Sequence, residues 1–122
     1  MTKAICTWLA GFADLGVPQV DALGSGEGWA VFPDGQKVVA VRRDILGTER
    51  RRIRARWSLK LRRSKGDAAM PRLLEQLAAW VRSGAPQFGQ EQVVYLENAR
   101  LVSQNGESWT RYDATLVVEF TE

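Results

Sequence analysis

Two hydrophobic periodicities, one helical and one extended, alternate along the chain. Near its start Ile5, Trp8, Leu9 and Phe12 fall at i, i+3, i+4 and i+7, which predicts an amphipathic helix with Thr2 as its N-cap. Gly16, Pro18, Gly24, Ser25, Gly26 and Gly28 then punctuate a stretch that reads as a loop. Trp29-Ala30-Val31-Phe32 and Lys37-Val38-Val39-Ala40-Val41 flank Pro33-Asp34-Gly35-Gln36, where proline presets φ and Asp-Gly supplies turn geometry, so a β-hairpin is expected there. A second connection spans Asp44 to Thr48.

Beyond it the alternation is strict. Ile53, Ala55, Trp57, Leu59 and Leu61 occupy one parity, while Arg52, Arg54, Arg56, Ser58, Lys60 and Arg62 occupy the other. Period two over this length predicts a long strand with one buried and one cationic face, ~40 Å long if extended at about 3.3 Å per residue; this exceeds the usual strand length, so part of it is expected to project beyond the sheet or to carry a bulge. After Ser64-Lys65-Gly66-Asp67 the period becomes helical. Met70, Leu73, Leu74, Leu77, Trp80 and Val81 share a stripe opposite Arg72, Glu75, Gln76, Ala79 and Arg82, with Pro71 in the first turn and Ser83-Gly84 at the end. Val93 to Val102 reads as a strand, Ser103 to Glu107 with Asn105-Gly106 as a hairpin turn, and Trp109 to Thr121 as the last strand. In that strand Tyr112, Ala114, Leu116, Val118 and Phe120 form the buried parity.

The element order is thus α-β-β-β-α-β-β. It predicts an α+β fold, a two-layer sandwich in which a mainly antiparallel sheet carries two helices on one face. Residues 1–122 form a single domain under this reading, with no internal repeat or linker.

Composition changes the picture chiefly through charge. The chain holds 17 Lys and Arg against 14 Asp and Glu, a net charge of only +3. Nine of the basic residues (Arg50, Arg51, Arg52, Arg54, Arg56, Lys60, Arg62, Arg63 and Lys65) lie in one stretch that contains no acid. The remainder has 8 basic and 14 acidic groups, so −6 stands against +9. The 45% hydrophobic and 25% charged residues are ordinary for a globular protein and do not indicate disorder. Lys3 followed by the apolar run Ala4 to Ala13 has the outline of a minimal signal peptide, but the helical spacing of the same residues favours a packed helix. No run reaches the roughly 18 apolar residues of a membrane span, so the protein is expected to be soluble and cytoplasmic, without a membrane partner.

Several chemistries are excluded outright. The absence of histidine removes His-ligated zinc, Ser-His and Cys-His nucleophile pairs and imidazole acid–base catalysis. A single Cys6 forms neither an intrachain disulfide nor a CxxC site, and its place beside the apolar stripe of the first helix marks it as a small packed hydrophobe. Neither Gly24-Ser25-Gly26 nor Gly84 to Gly89 carries the Lys-Ser/Thr ending of a phosphate-binding loop. Glu97, Asp113 and Glu119 lie on strand faces beside Arg and Thr and read as salt-bridge partners before they read as an acid–base pair. The expectation is a protein without catalytic residues, cofactor or metal. Of the five tryptophans, Trp8, Trp57 and Trp80 fall on core parities; Trp29 and Trp109 are less constrained, and Trp109, beside a turn on the polar parity, is a candidate contact residue.

The candidate site is therefore Arg50, Arg52, Arg54, Arg56, Lys60, Arg62 and Arg63, with Trp109. Three readings of the cationic strand stand side by side. It binds phosphates of a nucleic acid; it meets an acidic protein surface, including the acidic remainder of another copy of this chain; or it is a solvated edge strand whose charge discourages pairing. No RNP aromatic pattern, helix-turn-helix or zinc knuckle accompanies the charge, which weakens the first. In the second, Arg52, Arg54 and Arg56 face outward and tolerate charge reversal without loss of the fold.

The layout also carries a resemblance. Thr2-Lys3-Ala4 opens a short helix with Trp8-Leu9; Leu77-Ala78-Ala79-Trp80-Val81 closes the second; Gly89 sits in a turn; Val94 to Leu101 includes Glu97-Asn98-Ala99-Arg100; and Tyr112 to Phe120 form the last strand. With this order of elements the chain resembles the tail-terminator (tail-completion) proteins of tailed phages and prophages, a group often labelled minor capsid protein. The resemblance implies an α+β structural subunit of the virion tail, assembled in the host cytoplasm. It implies a homo-hexameric ring that caps the tail tube and joins it to the head, with the tube protein and a head-completion or connector protein as partners and passing DNA as a neighbour. It carries over no catalytic residue. A small nucleic-acid-binding module using residues 50–63 is the alternative.

Overall fold

A computed structural model describes residues 1–13, 15–24, 27–64, 70–103 and 109–122. The elements are α1 (Thr2–Leu9), β1 (Gln19–Val20), β2 (Gly28–Arg43), β3 (Glu49–Ser64), α2 (Met70–Trp80), β4 (Gln90–Ser103) and β5 (Trp109–Thr121). The fold is α+β with the expected order α-β-β-β-α-β-β, and the five strands form one sheet in the order β1-β2-β3-β5-β4. Among the described residues, only β1, which runs parallel to β2, departs from antiparallel pairing.

The period-two reading of β3 and β5 holds at every core position. Ile53, Ala55, Trp57, Leu59 and Leu61 are buried, as are Tyr112, Ala114, Leu116, Val118 and Phe120. Both helices cover this face: Ile5, Cys6 and Leu9 of α1 and Leu73 and Leu77 of α2, with Phe12 and Val81 just beyond, join the strand residues in one hydrophobic cluster. Aromatic contacts tie the layers together. Trp8 stacks on Trp80 with centroids 4.9 Å apart and planes 15° from parallel, and Phe12 lies 5.6 Å from Trp80 and 6.4 Å from Trp29. Trp29 is itself core, its indole N–H donating to the Gly16 carbonyl at 2.9 Å. Buried tryptophans of this kind combine large apolar area with one polar group that needs a partner.

Three local expectations are corrected. Thr2 is not the N-cap; the helix begins one residue earlier, with Met1 at that position. The Thr2 hydroxyl instead accepts the Trp57 indole N–H at 3.1 Å, pinning the start of α1 to the middle of the sheet. The hairpin expected at Pro33–Gln36 is a bulge within one continuous 16-residue strand, since Pro33 pairs with Trp57 and Gln36 with Ala55. Asp-Gly supplies the positive φ that such a bulge also requires, here 79° at Gly35, and a proline without an N–H is tolerated at a bulge. The chain reverses at Asp44–Thr48 instead. There one Asp44 carboxylate oxygen accepts the N–H groups of Leu46 and Thr48, both at 2.9 Å, and Gly47 takes φ 81°. The remaining strand of the expected three is β1, in a stretch whose glycines read as loop. The Asn105-Gly106 turn lies outside the described residues.

Candidate functional site on the open sheet face

The helices leave the other face of the sheet open, and the even-numbered residues of β3 line it. Because β3 lies between β2 and β5, it is a central strand, so its charge does not serve as protection of an edge. The neighbouring strands supply the acids instead. Arg54 stands directly opposite Glu119 and donates to it from Nε at 2.5 Å, a bond that raises the Arg54 pKa above its ordinary value. Arg56 reaches across β5 to Glu97 on β4, Nη2 to Oε1 3.3 Å, while its buried Nε finds no acceptor. On β5, Arg111 forks onto Asp113 at 2.8 and 3.2 Å, and Arg100 of β4 approaches the same carboxylate at 3.9 Å. Beneath this layer Val117 is fully buried although it belongs to the open face.

The candidate residues therefore separate into groups. Arg54 and Arg56 are neutralised within the chain, which corrects the view that they face solvent freely: both are half-buried, and reversing them would set Glu against Glu119 and Glu97. Lys60 places its ammonium 5.3 Å from the centre of the Phe32 ring. Arg62 donates to the Gly24 carbonyl at 2.5 Å, and half-buried Arg63 is its neighbour near the end of the strand. Trp109 stands opposite Ser64 and is partly exposed on the polar parity, as its sequence position implies. Arg50 and Arg52, at the other end of β3, donate to Gln90 Oε1 at 2.9 Å and to the Glu91 carbonyl at 2.7 Å. Glu97, Asp113 and Glu119 each hold an arginine, so these carboxylates act as counter-ions in the sheet. Among the described residues no group of His, Cys, Asp and Glu is placed to hold a metal ion.

Two features complete the site. The first is a projecting arm, which the unusual length of the basic strand suggests. Arg52 is the last β3 residue paired with β5, and Val41↔Arg51, Arg42↔Arg50 and Arg43↔Glu49 continue beyond it, so the β2–β3 ribbon overhangs by roughly 10 Å plus its turn. Its tip presents Ile45 at 100% and Leu46 at 87% exposure, held out by the hydrogen-bonded Asp44 turn. The second is the state of the edges. β1 covers β2 only at Ala30 and Val31, and beyond them β2 has no outer partner among the described residues; β4 has none on the opposite side of the sheet. Both edges carry exposed aliphatics, Val38, Val39 and Val41 on β2 and Val93 and Leu101 on β4. The aliphatic run beside paired arginines at 38–43 was a usable signal for the arm, masked by the turn chemistry at Asp34-Gly35.

Comparison of the sequence with protein-family models and with curated proteins gives no match.

Proposed function

We propose that the protein is a structural assembly subunit, of the kind the tail-terminator resemblance implies, which joins copies of itself into a ring at the end of a phage tail. The observation that carries this reading is the pair of open sheet edges on opposite sides of one sheet, each with exposed aliphatic side chains. A long unpaired edge is a template for another strand; bulges interrupt both edges, at Pro33–Gln36 on β2 and Gln90–Val93 on β4, and leave Val38, Val39, Val41 and Val93 exposed beside them. Pairing β2 of one copy with β4 of the next uses two different surfaces, so the contact is head-to-tail and closes into a ring when the rotation permits. A hexamer, the tail tube, a connector and a place in the virion tail follow from the resemblance alone. The alternative, a nucleic-acid module using residues 50–63, has less support because Arg54 and Arg56 already hold Glu119 and Glu97.

Sedimentation velocity and negative-stain imaging over a range of concentrations test the proposal. Discrete rings are expected, and Val41→Lys or Val93→Lys alone should reduce them to folded monomers, because each charges one edge. Rings that survive both substitutions exclude edge pairing, and a protein that stays monomeric at every concentration and in the presence of tail tubes excludes the assembly role.

A further inference from the structure

At the root of the arm the sheet assembles positive charge that, among the described residues lining it, one acid offsets. Arg42 and Arg50 are directly opposite each other across the β2–β3 pair, and Arg52 stands next along the same face, opposite Ala40. Like charges in directly opposed positions repel, and a fold without use for them would place an acid there, as β5 does opposite Arg54. The three guanidinium groups instead line a cleft of about 300 Å³ together with Ala40, Glu91 and Thr121. Two are held in place. Arg50 Nη1 donates to Gln90 Oε1, and Arg52 Nη1 donates to the Glu91 carbonyl and to Thr121 Oγ1. The Glu91 carbonyl belongs to a residue with φ 52°, an uncommon conformation for a side chain of this type, at the bulge between Gln90 and Val93. Those bonds occupy few of the five N–H donors on each guanidinium, and Arg42 makes no hydrogen bond or ion pair among the described residues.

We infer that this cleft is an oxyanion site that takes a phosphate group. Arginine forks match phosphate oxygens two at a time, and partly immobilised guanidiniums bind with less loss of side-chain freedom. Among the described residues lining the cleft, three guanidiniums against the Glu91 carboxylate leave a local charge of about +2, which suits a phosphate dianion better than a carboxylate. The phosphate comes either from a small phosphate or pyrophosphate or from a polynucleotide backbone, and the cleft chemistry is common to both. The arm, and not the paired middle of β3, is then the part of the basic strand that meets phosphate.

The test is isothermal titration of the intact protein with sodium phosphate and pyrophosphate, with sodium chloride at matched ionic strength as the reference. Saturable binding of phosphate is expected, weakened about tenfold or more in the Arg42→Gln/Arg50→Gln double variant and strengthened in Glu91→Gln, which removes the one opposing charge. Arg42→Gln should also melt no lower than the parent in chloride, because it relieves the Arg42–Arg50 repulsion. A response to phosphate no different from chloride, or one undiminished in the double variant, overturns the inference. A single-stranded oligonucleotide distinguishes the source. Displacement of phosphate with a salt slope that falls by roughly 1 to 2 in the double variant identifies a backbone phosphate. Binding no tighter than phosphate, with an unchanged slope, identifies a small phosphate.

Discussion

Trp57 is where the two layers are joined most directly, and its replacement gives a quantitative check on the packing. The ring is 3% exposed in the central strand, and its N–H reaches the first residue of α1. A tryptophan buries up to ~250 Å², worth about 6 kcal/mol at ~25 cal/mol per Å². An extended reference overstates burial by roughly 10–40%, so Trp57→Ala is expected to cost about 3–5 kcal/mol, the range of large core truncations. With a urea m-value near 2 kcal/mol per M the unfolding midpoint should fall by about 2 M. Trp57→Phe keeps most of the ring and loses the donor, so it should cost about 1–2 kcal/mol. If the Trp57–Thr2 bond contributes as drawn, Thr2→Ala and Trp57→Phe should be non-additive by about 1 kcal/mol in a double-mutant cycle followed by far-ultraviolet circular dichroism. A loss below about 1.5 kcal/mol for Trp57→Ala, or additive single substitutions, refutes the docking of α1 on β3.

Other outcomes follow from the same contacts. Gly89 lies so close to the Thr121 carbonyl and the Phe120 ring that a Cβ overlaps both, so Gly89→Ala should destabilise by about 1–3 kcal/mol, read as a lower midpoint in urea. Burial pushes the Cys6 thiol above its ordinary 9.0 and the Tyr112 phenol above its ordinary 10.0. In both cases the neutral form is the one the fold prefers, so this stability is complete below pH 9 and is lost as pH rises through the raised values. The midpoint should therefore fall at alkaline pH, less steeply in Cys6→Ala, and Cys6 should resist thiol reagents at neutral pH. Reversing Arg52, Arg54 and Arg56 together to Glu should lower the melting temperature, while adding Glu119→Arg and Glu97→Arg should restore much of it. Full retention of stability in the triple variant would show that the ion pairs on the open face contribute nothing.

Much of the fold was legible because burial writes a period into the sequence. β3 and β5 each have one face against the helices, so Ile53 to Leu61 alternate strictly, and Tyr112 to Phe120 do so apart from Asp113 and Val117, which are buried on the opposite parity; the Leu73, Leu77 and Val81 stripe marks α2 for the same reason. What stayed hidden was decided by groups far apart in the chain. Nothing local distinguishes an Asp34-Gly35 turn from an Asp34-Gly35 bulge; the difference lies in whether residues 37–43 find a longer partner in β3. The ion pairs are still less local, with Arg54 and Glu119 65 positions apart. A run of nine basic residues on paper becomes three chemically different stretches once the acids of β4 and β5 are laid beside it. The middle is paired with acids, the far end is engaged with Phe32 and Gly24, and on the arm Arg51 pairs with Glu49 while Arg50 and Arg52 meet neutral acceptors.

The strand order also governs how the chain must be made. β5, residues 109–121, is inserted between β3 and β4, both of which are synthesised before it. Until residue 121 has cleared the ribosome the sheet lacks its interior strand, and Trp57, Leu59 and Leu61 have no Leu116, Ala114 or Tyr112 beside them. Contacts of such sequence separation slow folding, and without β5 the described strands display four edges where the complete sheet displays two. The chain thus exposes the most strand edge before β5 is in place, and insertion of that strand between β3 and β4 removes two of those edges.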